Sequence, residues 1–173
     1  ISHAGFMLMA LLSFSTAAGT LFYYATAYAL AGIASFAVII LVTKSKDNQD
    51  IANFNGLGKT NPLMAGILTA SLLSMAGIPI FSGFFAKLTL FTQTIESGYL
   101  IVVIAGILNS IISVGYYFKL ISAMYTKDST EKQTTPFVYY FVAVIAIALN
   151  IAIGLFPNLI MNVTTDTKVT QQI

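Results

Sequence analysis

The sequence predicts an all-α polytopic membrane protein, a bundle of transmembrane helices in which one helix is interrupted. Composition is the first observation behind this class. Of the 173 residues, 57% are hydrophobic and 8% are charged, whereas a soluble domain carries about 25% charged residues. The second is the length of the apolar runs, most of which exceed the ~20 residues that cross a bilayer as a helix. They do not alternate as the strands of a membrane β-barrel would.

Composition also excludes several kinds of site. The chain has no cysteine and one histidine, so thiol catalysis, disulfides and Cys-based metal or Fe–S sites are excluded, and a multi-histidine metal site is not expected. The net charge of +2 is spread over the loops and forms no basic patch for nucleic acid. We therefore expect no Cys-based or multi-histidine metal site in this chain.

Five hydrophobic segments are predicted to be helices. They cover about residues 1–14, 17–43, 61–95, 98–126 and 137–163, and a polar tail follows at 164–173. The first segment is short and lacks an initiator Met. A signal peptide is one interpretation, but the segment has no basic n-region. We favour a fragment that begins inside a transmembrane helix.

The third segment could be one broken span or a hairpin of two spans, and the lysines favour one span. With a single span, the loops at 44–60 and 127–136 lie on the same side of the membrane. That side then holds most of the loop lysines, namely Lys44, Lys46, Lys59, Lys127 and Lys132. Because lysine-rich loops face the cytoplasm, the C-terminus is predicted on the non-cytoplasmic side.

The stretch LLSMAGIPIFSGFFAKLTLF contains the predicted interruption, near residues 77–83. Pro79 lacks an N–H and clashes with the preceding turn, and Gly77 and Gly83 ease unwinding. Unwound backbone is tolerated at membrane depth only where protein or a watery cavity surrounds it. The segment is therefore either a simple proline kink or a functional break.

Lys87 favours the functional interpretation. It lies nine residues before Glu96, about 13 Å along a helix, and half of the hydrocarbon core is about 15 Å. A lysine near the midplane costs at least ~2.5–3.5 kcal/mol. The residues beside it on the helix offer no charge to pair with it. An intramembrane ionisable group beside a broken helix indicates an ion or proton path; a structural lysine is the alternative.

Five other polar residues are candidates for a polar path or for helix contacts. His3 is either a packing residue or a proton carrier, because imidazole suits a relay near neutral pH. Lys119 follows two tyrosines and is typical of an interfacial belt with a snorkelling lysine. Asn109 and Asn150 fall near helix centres, where interhelical hydrogen bonding accounts for them. Tyr28 is deep enough that its hydroxyl needs a partner.

Three motifs carry a resemblance to a known family. In this order, ISHAGFMLMAL, LLSMAGIPIFSGFFAKLTLF and GILNSIISVGYYFKLISAMY resemble the C-terminal part of subunit N of bacterial NADH–quinone oxidoreductase (complex I). This is an antiporter-like membrane subunit, the counterpart of mitochondrial and plastid subunit 2. The resemblance runs from Ile1 to about residue 163, and the family chain is much longer. Ala86 and Ile80 depart mildly from it, standing where glycine and a second proline are common.

The resemblance implies a proton-translocating subunit that performs no redox chemistry and is driven by quinone reduction elsewhere in the complex. The protonatable lysine of the family matches Lys87, its ISH histidine matches His3, and its second broken helix matches Gly77, Pro79 and Gly83. The expected partners are neighbouring antiporter-like subunits in the bacterial inner membrane. NADH, FMN, Fe–S clusters and quinone are expected in partner subunits.

Two alternatives stay open. A subunit of a multisubunit cation/proton antiporter, not driven by NADH, would use the same broken helix and lysine. A purely structural membrane anchor would tolerate replacement of Lys87 by methionine.

Overall fold

The computed structural model of the chain describes residues 1–13, 17–44, 46–126 and 136–158. All regular structure within these ranges is helical, which confirms the predicted fold class. The α-helices are α1 (Ser2–Met9), α2 (Ala17–Thr43), α3 (Leu57–Thr60), α4 (Pro62–Ala76), α5 (Ser82–Glu96), α6 (Leu100–Thr126) and α7 (Phe137–Leu155). Two 3-10 turns accompany them, at Ala10–Leu12 and Ile51–Phe54.

Among the described residues, three helices are long and apolar enough to cross a membrane, and these are α2, α6 and α7. Helices α4 and α5 contain 15 residues each, or about 22 Å, which is shorter than a ~30 Å hydrocarbon core. These two short helices, joined by a break, make up the interrupted helix that the sequence predicts. Neither is long enough to be one arm of a transmembrane hairpin.

The break begins with a Schellman motif at the end of α4. Gly77 has φ +87°, and its N–H donates to the carbonyl oxygen of Ser74 at 3.0 Å. The N–H of Ile78 donates to the carbonyl oxygen of Leu73, also at 3.0 Å. This pair of bonds satisfies two of the last carbonyls of α4, and glycine adopts the left-handed conformation without penalty. Pro79 follows and prevents the helix from resuming.

The break continues through a second left-handed residue, Ile80, with φ +91°. This conformation is strained for a β-branched residue. A proline ring fixes φ near −65° and could not adopt this conformation. An added Cβ on Gly154 of α7 would lie 2.4 Å from the Ile80 carbonyl oxygen. The break therefore packs directly on the backbone of α7.

Helix α2 lies at the centre of the bundle and packs against α4, α5 and α7. The buried residues form two clusters around it. One joins α2 to α4 and α7 around Val38, Met64, Leu68 and Ala143. The other joins α1, α2, α5 and α6 around Phe6, Tyr24, Leu90 and Val103. The second cluster includes Ala86 and Leu90 of α5, the helix that carries Lys87.

Some predicted boundaries are wrong. The helix predicted at 137–163 ends at Leu155, because Pro157 disfavours the helical conformation at Phe156. The predicted loop at 44–60 contains a 3-10 turn and α3, both too short to give a periodic pattern. The first segment changes from α-helix to a 3-10 turn after Met9. Residues 127–135, 159–163 and the tail 164–173 lie outside the described ranges.

Candidate functional site

The side chain of Lys87 is 6% exposed and reaches back across the break. Its Nζ donates to the carbonyl oxygen of Ala76 at 3.0 Å and to the Ser110 hydroxyl at 3.2 Å. It also lies 5.1 Å from the centre of the Phe6 ring. Four helices therefore hold one ammonium group, because Ala76 ends α4, Lys87 lies on α5, Ser110 on α6 and Phe6 on α1.

The break itself provides part of the counter-charge. Ala76 is the last residue of α4, where carbonyl oxygens lack helical partners and the helix dipole places about −0.5 charge. The face of the Phe6 ring adds a cation–π contact, since a cation within about 6 Å of a ring centre is attracted by its quadrupole. The interruption thus creates, inside the bundle, an electronegative helix end that faces the lysine.

Carboxylates take no part in this arrangement within the described ranges. The contacts of Nζ there are the Ala76 carbonyl, the Ser110 hydroxyl and the Phe6 ring. The same part of the chain contains no group of three acidic, histidine or cysteine residues that could hold a metal ion. Within the described ranges, the ammonium group of Lys87 is therefore surrounded by partial charges and by no ion pair.

His3 lies in a pocket of three tyrosines. Its Nδ1 is 2.9 Å from the Tyr24 hydroxyl, and its Nε2 is 3.1 Å from the Tyr117 hydroxyl. The ring of Tyr28 stacks on the imidazole with 4.4 Å between ring centres. Both ring nitrogens therefore have a hydroxyl partner, and the imidazole plane is fixed by stacking.

A small cavity joins the histidine to the lysine. His3, Tyr24, Tyr28, Ser74 and Lys87 all contribute to its wall, and its volume is about 10 Å³. That is close to the volume needed for one water molecule. Its wall is mostly apolar, and His3, Tyr24, Ser74 and Lys87 are among the residues that contribute polar groups beside it.

Lys87 also lines a second, wider cavity of about 250 Å³ between α5 and α6. Ser110 and Gly77 line it too, and otherwise its walls are mostly apolar, including Phe84 and Ile107. The ammonium group therefore stands between an inner cavity shared with His3 and an outer one that opens toward the surface of the bundle.

The remaining predicted residues lie around this site or away from it. Asn109 accepts a hydrogen bond from Ser2 at 3.2 Å, which links α6 to α1. Asn150 is 0% exposed; its amide nitrogen donates to the carbonyl oxygen of Ala27 at 3.0 Å, and its Oδ1 accepts from Ser74 at 2.9 Å. Lys119 is exposed on α6. The two asparagines therefore bridge helices, and Lys119 lies outside the Lys87 contacts.

Several residues of the site were not predicted from the sequence. Tyr24 was not singled out from the sequence as a site residue, and the tyrosines before Lys119 were expected at an interfacial belt, whereas Tyr24 and Tyr117 both contact His3. Ser110 and Phe6 were overlooked. One signal was available, because Ser110 and Tyr117 are seven residues apart and so share a helix face. The other contacts depend on which helix faces meet.

Comparison with known proteins connects this geometry to a family. Residues 1–113 match the family model described as NADH:quinone oxidoreductase/Mrp antiporter, transmembrane. A NADH-quinone oxidoreductase subunit N of Flavobacterium johnsoniae is 66% identical over 163 residues, which are 94% of this chain and 35% of that relative. A F(420)H(2) dehydrogenase subunit N of Methanosarcina mazei is 36% identical over 171 residues, 91% of this chain and 35% of that relative. The chain thus spans about a third of the length of these relatives.

Solved structures share the fold. A chain of respiratory complex I from Thermus thermophilus, solved with bound aureothin, superposes with a TM-score of 0.82 at 29% identity, over 92% of this chain and 37% of that one. A chain of the Mrp complex from a Dietzia species superposes with a TM-score of 0.81 at 19% identity, over 92% and 39%.

Proposed function

We infer the function of this chain from its family, because it belongs to the NADH:quinone oxidoreductase/Mrp antiporter transmembrane family. We propose that it is part of a proton-translocating membrane subunit, the N-type subunit of a NADH–quinone oxidoreductase. Lys87 is the protonatable site of this segment, and His3 is a link in the path that leads to it. The subunit N relatives at 66% and 62% identity support this assignment.

The observation that carries the proposal is the set of contacts around Lys87. The lysine is buried without a carboxylate in the described part of the chain, and it lines a cavity that His3 also lines. An ammonium ion at membrane depth is costly, and the α4 carbonyl end offsets only part of that cost. A change in the field of a neighbouring charged group would therefore release or restore its proton. The broken helix places the carbonyl end of α4 beside Lys87, and this end brings the free energies of the charged and neutral lysine closer together.

The redox chemistry belongs to other subunits in this proposal. NADH, FMN, Fe–S clusters and quinone bind partner subunits, and this chain acts as a non-catalytic subunit that moves protons. Its partners are neighbouring antiporter-like subunits of complex I in the bacterial inner membrane, with the C-terminus on the non-cytoplasmic side. The absence of cysteine supports the placement of Fe–S clusters elsewhere.

The test uses the full-length subunit in its assembled complex, in inverted membrane vesicles. Lys87→Met is expected to abolish NADH-driven proton uptake and to slow the coupled oxidation of NADH. Lys44→Met, which removes a lysine exposed just after α2, is the matched control and should behave as wild type. Equal amounts of assembled complex are confirmed first. Unchanged uptake in Lys87→Met at the wild-type proton-to-NADH ratio would overturn the role of Lys87.

The second candidate is a subunit of a cation/proton antiporter, and the superposition on the Mrp complex supports it at the level of the fold. Purification of the native complex separates the two functions. Fe–S and flavin proteins should accompany the chain only in the oxidoreductase. If they are absent, and a cation gradient rather than NADH drives proton movement, the antiporter function replaces the one proposed above.

A further inference from the structure

The two tyrosine hydroxyls at His3 satisfy both sides of the imidazole ring. Tyr24 contacts Nδ1 at 2.9 Å and Tyr117 contacts Nε2 at 3.1 Å. A neutral imidazole has one N–H donor and one acceptor nitrogen, and a phenol hydroxyl both donates and accepts. In either tautomer of His3, one tyrosine donates and the other accepts. The three side chains thus form a continuous hydrogen-bonded row.

This row permits a proton to cross the ring without rotation of the ring. A lone histidine that carries a proton must usually turn to deliver it, but the Tyr28 ring stacks on His3 with an interplanar angle of 22°. Stacking holds the imidazole plane, and the two hydroxyl partners lie on its opposite nitrogens. Each transfer leaves the imidazole in its other tautomer, so the ring must exchange its N–H proton before it passes a second one.

The row has a direction, because its two ends face different surroundings. Tyr24 is 3% exposed and lines the small cavity together with Lys87, and Tyr117 does not line that cavity. Tyr117 lies seven residues beyond Ser110 on α6, or about 10 Å along the helix from the hydroxyl that Lys87 contacts. The imidazole therefore stands between Tyr117 and the cavity that leads to Lys87.

We propose that Tyr117, His3 and Tyr24 form a proton relay that supplies Lys87, with the cavity between Tyr24 and Lys87 holding a water molecule as the last carrier. This inference rests on the proposed function and extends it to two tyrosines. In one transfer, the Tyr117 hydroxyl gives its proton to Nε2 while Nδ1–H gives its proton to the Tyr24 oxygen. The Tyr24 hydroxyl proton passes through the water to the neutral amine of Lys87. Tyr117 regains a proton from water on its far side, so that Lys87 gains one proton and His3 is left as its Nε2–H tautomer, which returns to Nδ1–H by proton exchange before the next transfer.

Two phenylalanine variants test the relay in the assembled complex in inverted vesicles. Tyr117→Phe and Tyr24→Phe each remove one hydroxyl and keep the ring. Positioned proton transfer is worth about 10²–10⁴-fold in rate, so each variant is expected to lower coupled proton uptake by about tenfold or more. Wild-type uptake and stoichiometry in both variants would overturn the relay.

Tyr23→Phe is the matched control. Tyr23 is on α2 beside Tyr24 and is 1% exposed, but its hydroxyl donates to the carbonyl oxygen of Ile153 at 3.1 Å. It loses one buried hydrogen bond outside the row, so its uptake per assembled complex should equal that of wild type. A loss in Tyr23→Phe as large as in Tyr24→Phe would assign both losses to packing and overturn the relay role of Tyr24.

A second measurement distinguishes a relay from a structural hydrogen bond and does not depend on the stability of the phenylalanine variants. Site-specific 3-fluorotyrosine at position 117 keeps the ring and the hydroxyl but makes the hydroxyl more acidic. A relay predicts a shifted pH profile of proton uptake and an altered solvent deuterium isotope effect. The same replacement at position 23 should change neither. An unchanged profile at position 117 would contradict the relay.

Lys87→Met, measured in parallel, distinguishes a failure of the relay from a failure of the proposed function. If it abolishes uptake while the tyrosine variants behave as wild type, the relay is wrong and the proposed function stands. If Lys87→Met leaves uptake unchanged, the proposed function fails, and the relay loses its end point with it.

Discussion

Asn150 and Lys87 are both buried polar groups of the same bundle, and they differ in how well their surroundings match them. The amide of Asn150 has a donor partner in Ser74 and an acceptor partner in the Ala27 carbonyl, and it joins α7 to α4 and α2. Lys87 carries a full charge when it is protonated and has a carbonyl, a hydroxyl and a ring around it.

The difference shows what separates a structural polar contact from a protonatable one. A neutral amide whose hydrogen bonds are made contributes to packing and has no reason to change state. A buried ammonium ion surrounded only by partial charges remains costly, and it lines two cavities through which a proton could arrive or leave. Stability is therefore expected to depend on Asn150, and proton movement on Lys87.

The largest expected effect is at Gly83, which lies between the surroundings of Asn150 and those of Lys87. Gly83 donates its backbone N–H to the Ser74 hydroxyl at 3.4 Å and lines the same small cavity as Lys87. In Gly83→Ala, the new Cβ would lie 1.9 Å from the Ser74 carbonyl oxygen. Backbone cannot yield as a flexible side chain does, so overpacking of more than about 3 kcal/mol is expected. The amount of assembled complex in membranes should fall sharply.

Gly66→Ala is the control for this steric prediction. Gly66 lies on α4, and an added Cβ would meet no atom within 4 Å. Alanine also favours a helix by about 1 kcal/mol over glycine. Normal assembly of both variants would contradict the close packing of Gly83 of α5 against the Ser74 carbonyl of α4.

The second effect is a loss of stability at Asn150. Asn150→Leu keeps the size of the side chain and removes the hydrogen bonds to Ser74 and Ala27. Stability is expected to fall by about 1–2 kcal/mol, measured as the midpoint of SDS-induced unfolding of the full-length protein in detergent. Proton uptake per assembled complex should stay at the wild-type level. A selective loss of uptake would move Asn150 from the structural group into the proton path.

The third effect is a gain in stability rather than a loss. Lys87→Met replaces the ammonium group with an apolar chain of similar length. The ~2.5–3.5 kcal/mol penalty of a mid-membrane lysine is relieved, and two hydrogen bonds of about 1 kcal/mol each are lost. The net expectation is an increase in stability of about 0.5–1.5 kcal/mol in the same unfolding measurement, together with loss of pumping. Destabilisation as large as in Asn150→Leu would identify Lys87 as a structural residue.

The sequence predicted the features that depend on local chemistry. Gly77, Pro79 and Lys87 are recognisable one at a time, because a left-handed glycine, a missing N–H and a lone charge in an apolar run each have a local signature. The helix end at Leu155 was also within reach, since Pro157 signals it. The broken helix and the candidate proton site thus followed from a single stretch of chain.

The partners of those residues could not be predicted in the same way. His3 and Tyr117 are 114 positions apart, and their contact depends on which faces of α1 and α6 meet. Apolar surfaces on every side of these helices remove the amphipathic pattern that would indicate an inward face. For the same reason the ring of Phe6, on a helix that is apolar after His3, gave no sign that it lies against a lysine.

The smallest expected effect concerns the contact between the Phe6 ring and Lys87. In a double-mutant cycle of Phe6→Leu and Lys87→Met, the coupling energy should be about 0.5–2 kcal/mol if the cation–π contact stabilises the ammonium ion. Phe54 is also buried, at 4% exposure against 2% for Phe6, but it belongs to the other hydrophobic cluster. A cycle of Phe54→Leu and Lys87→Met should be additive to within about 0.5 kcal/mol. Additivity in the Phe6 cycle as well would leave the α4 carbonyl end and Ser110 as the groups that hold the charge, and the contrast with Asn150 would then rest on the break alone.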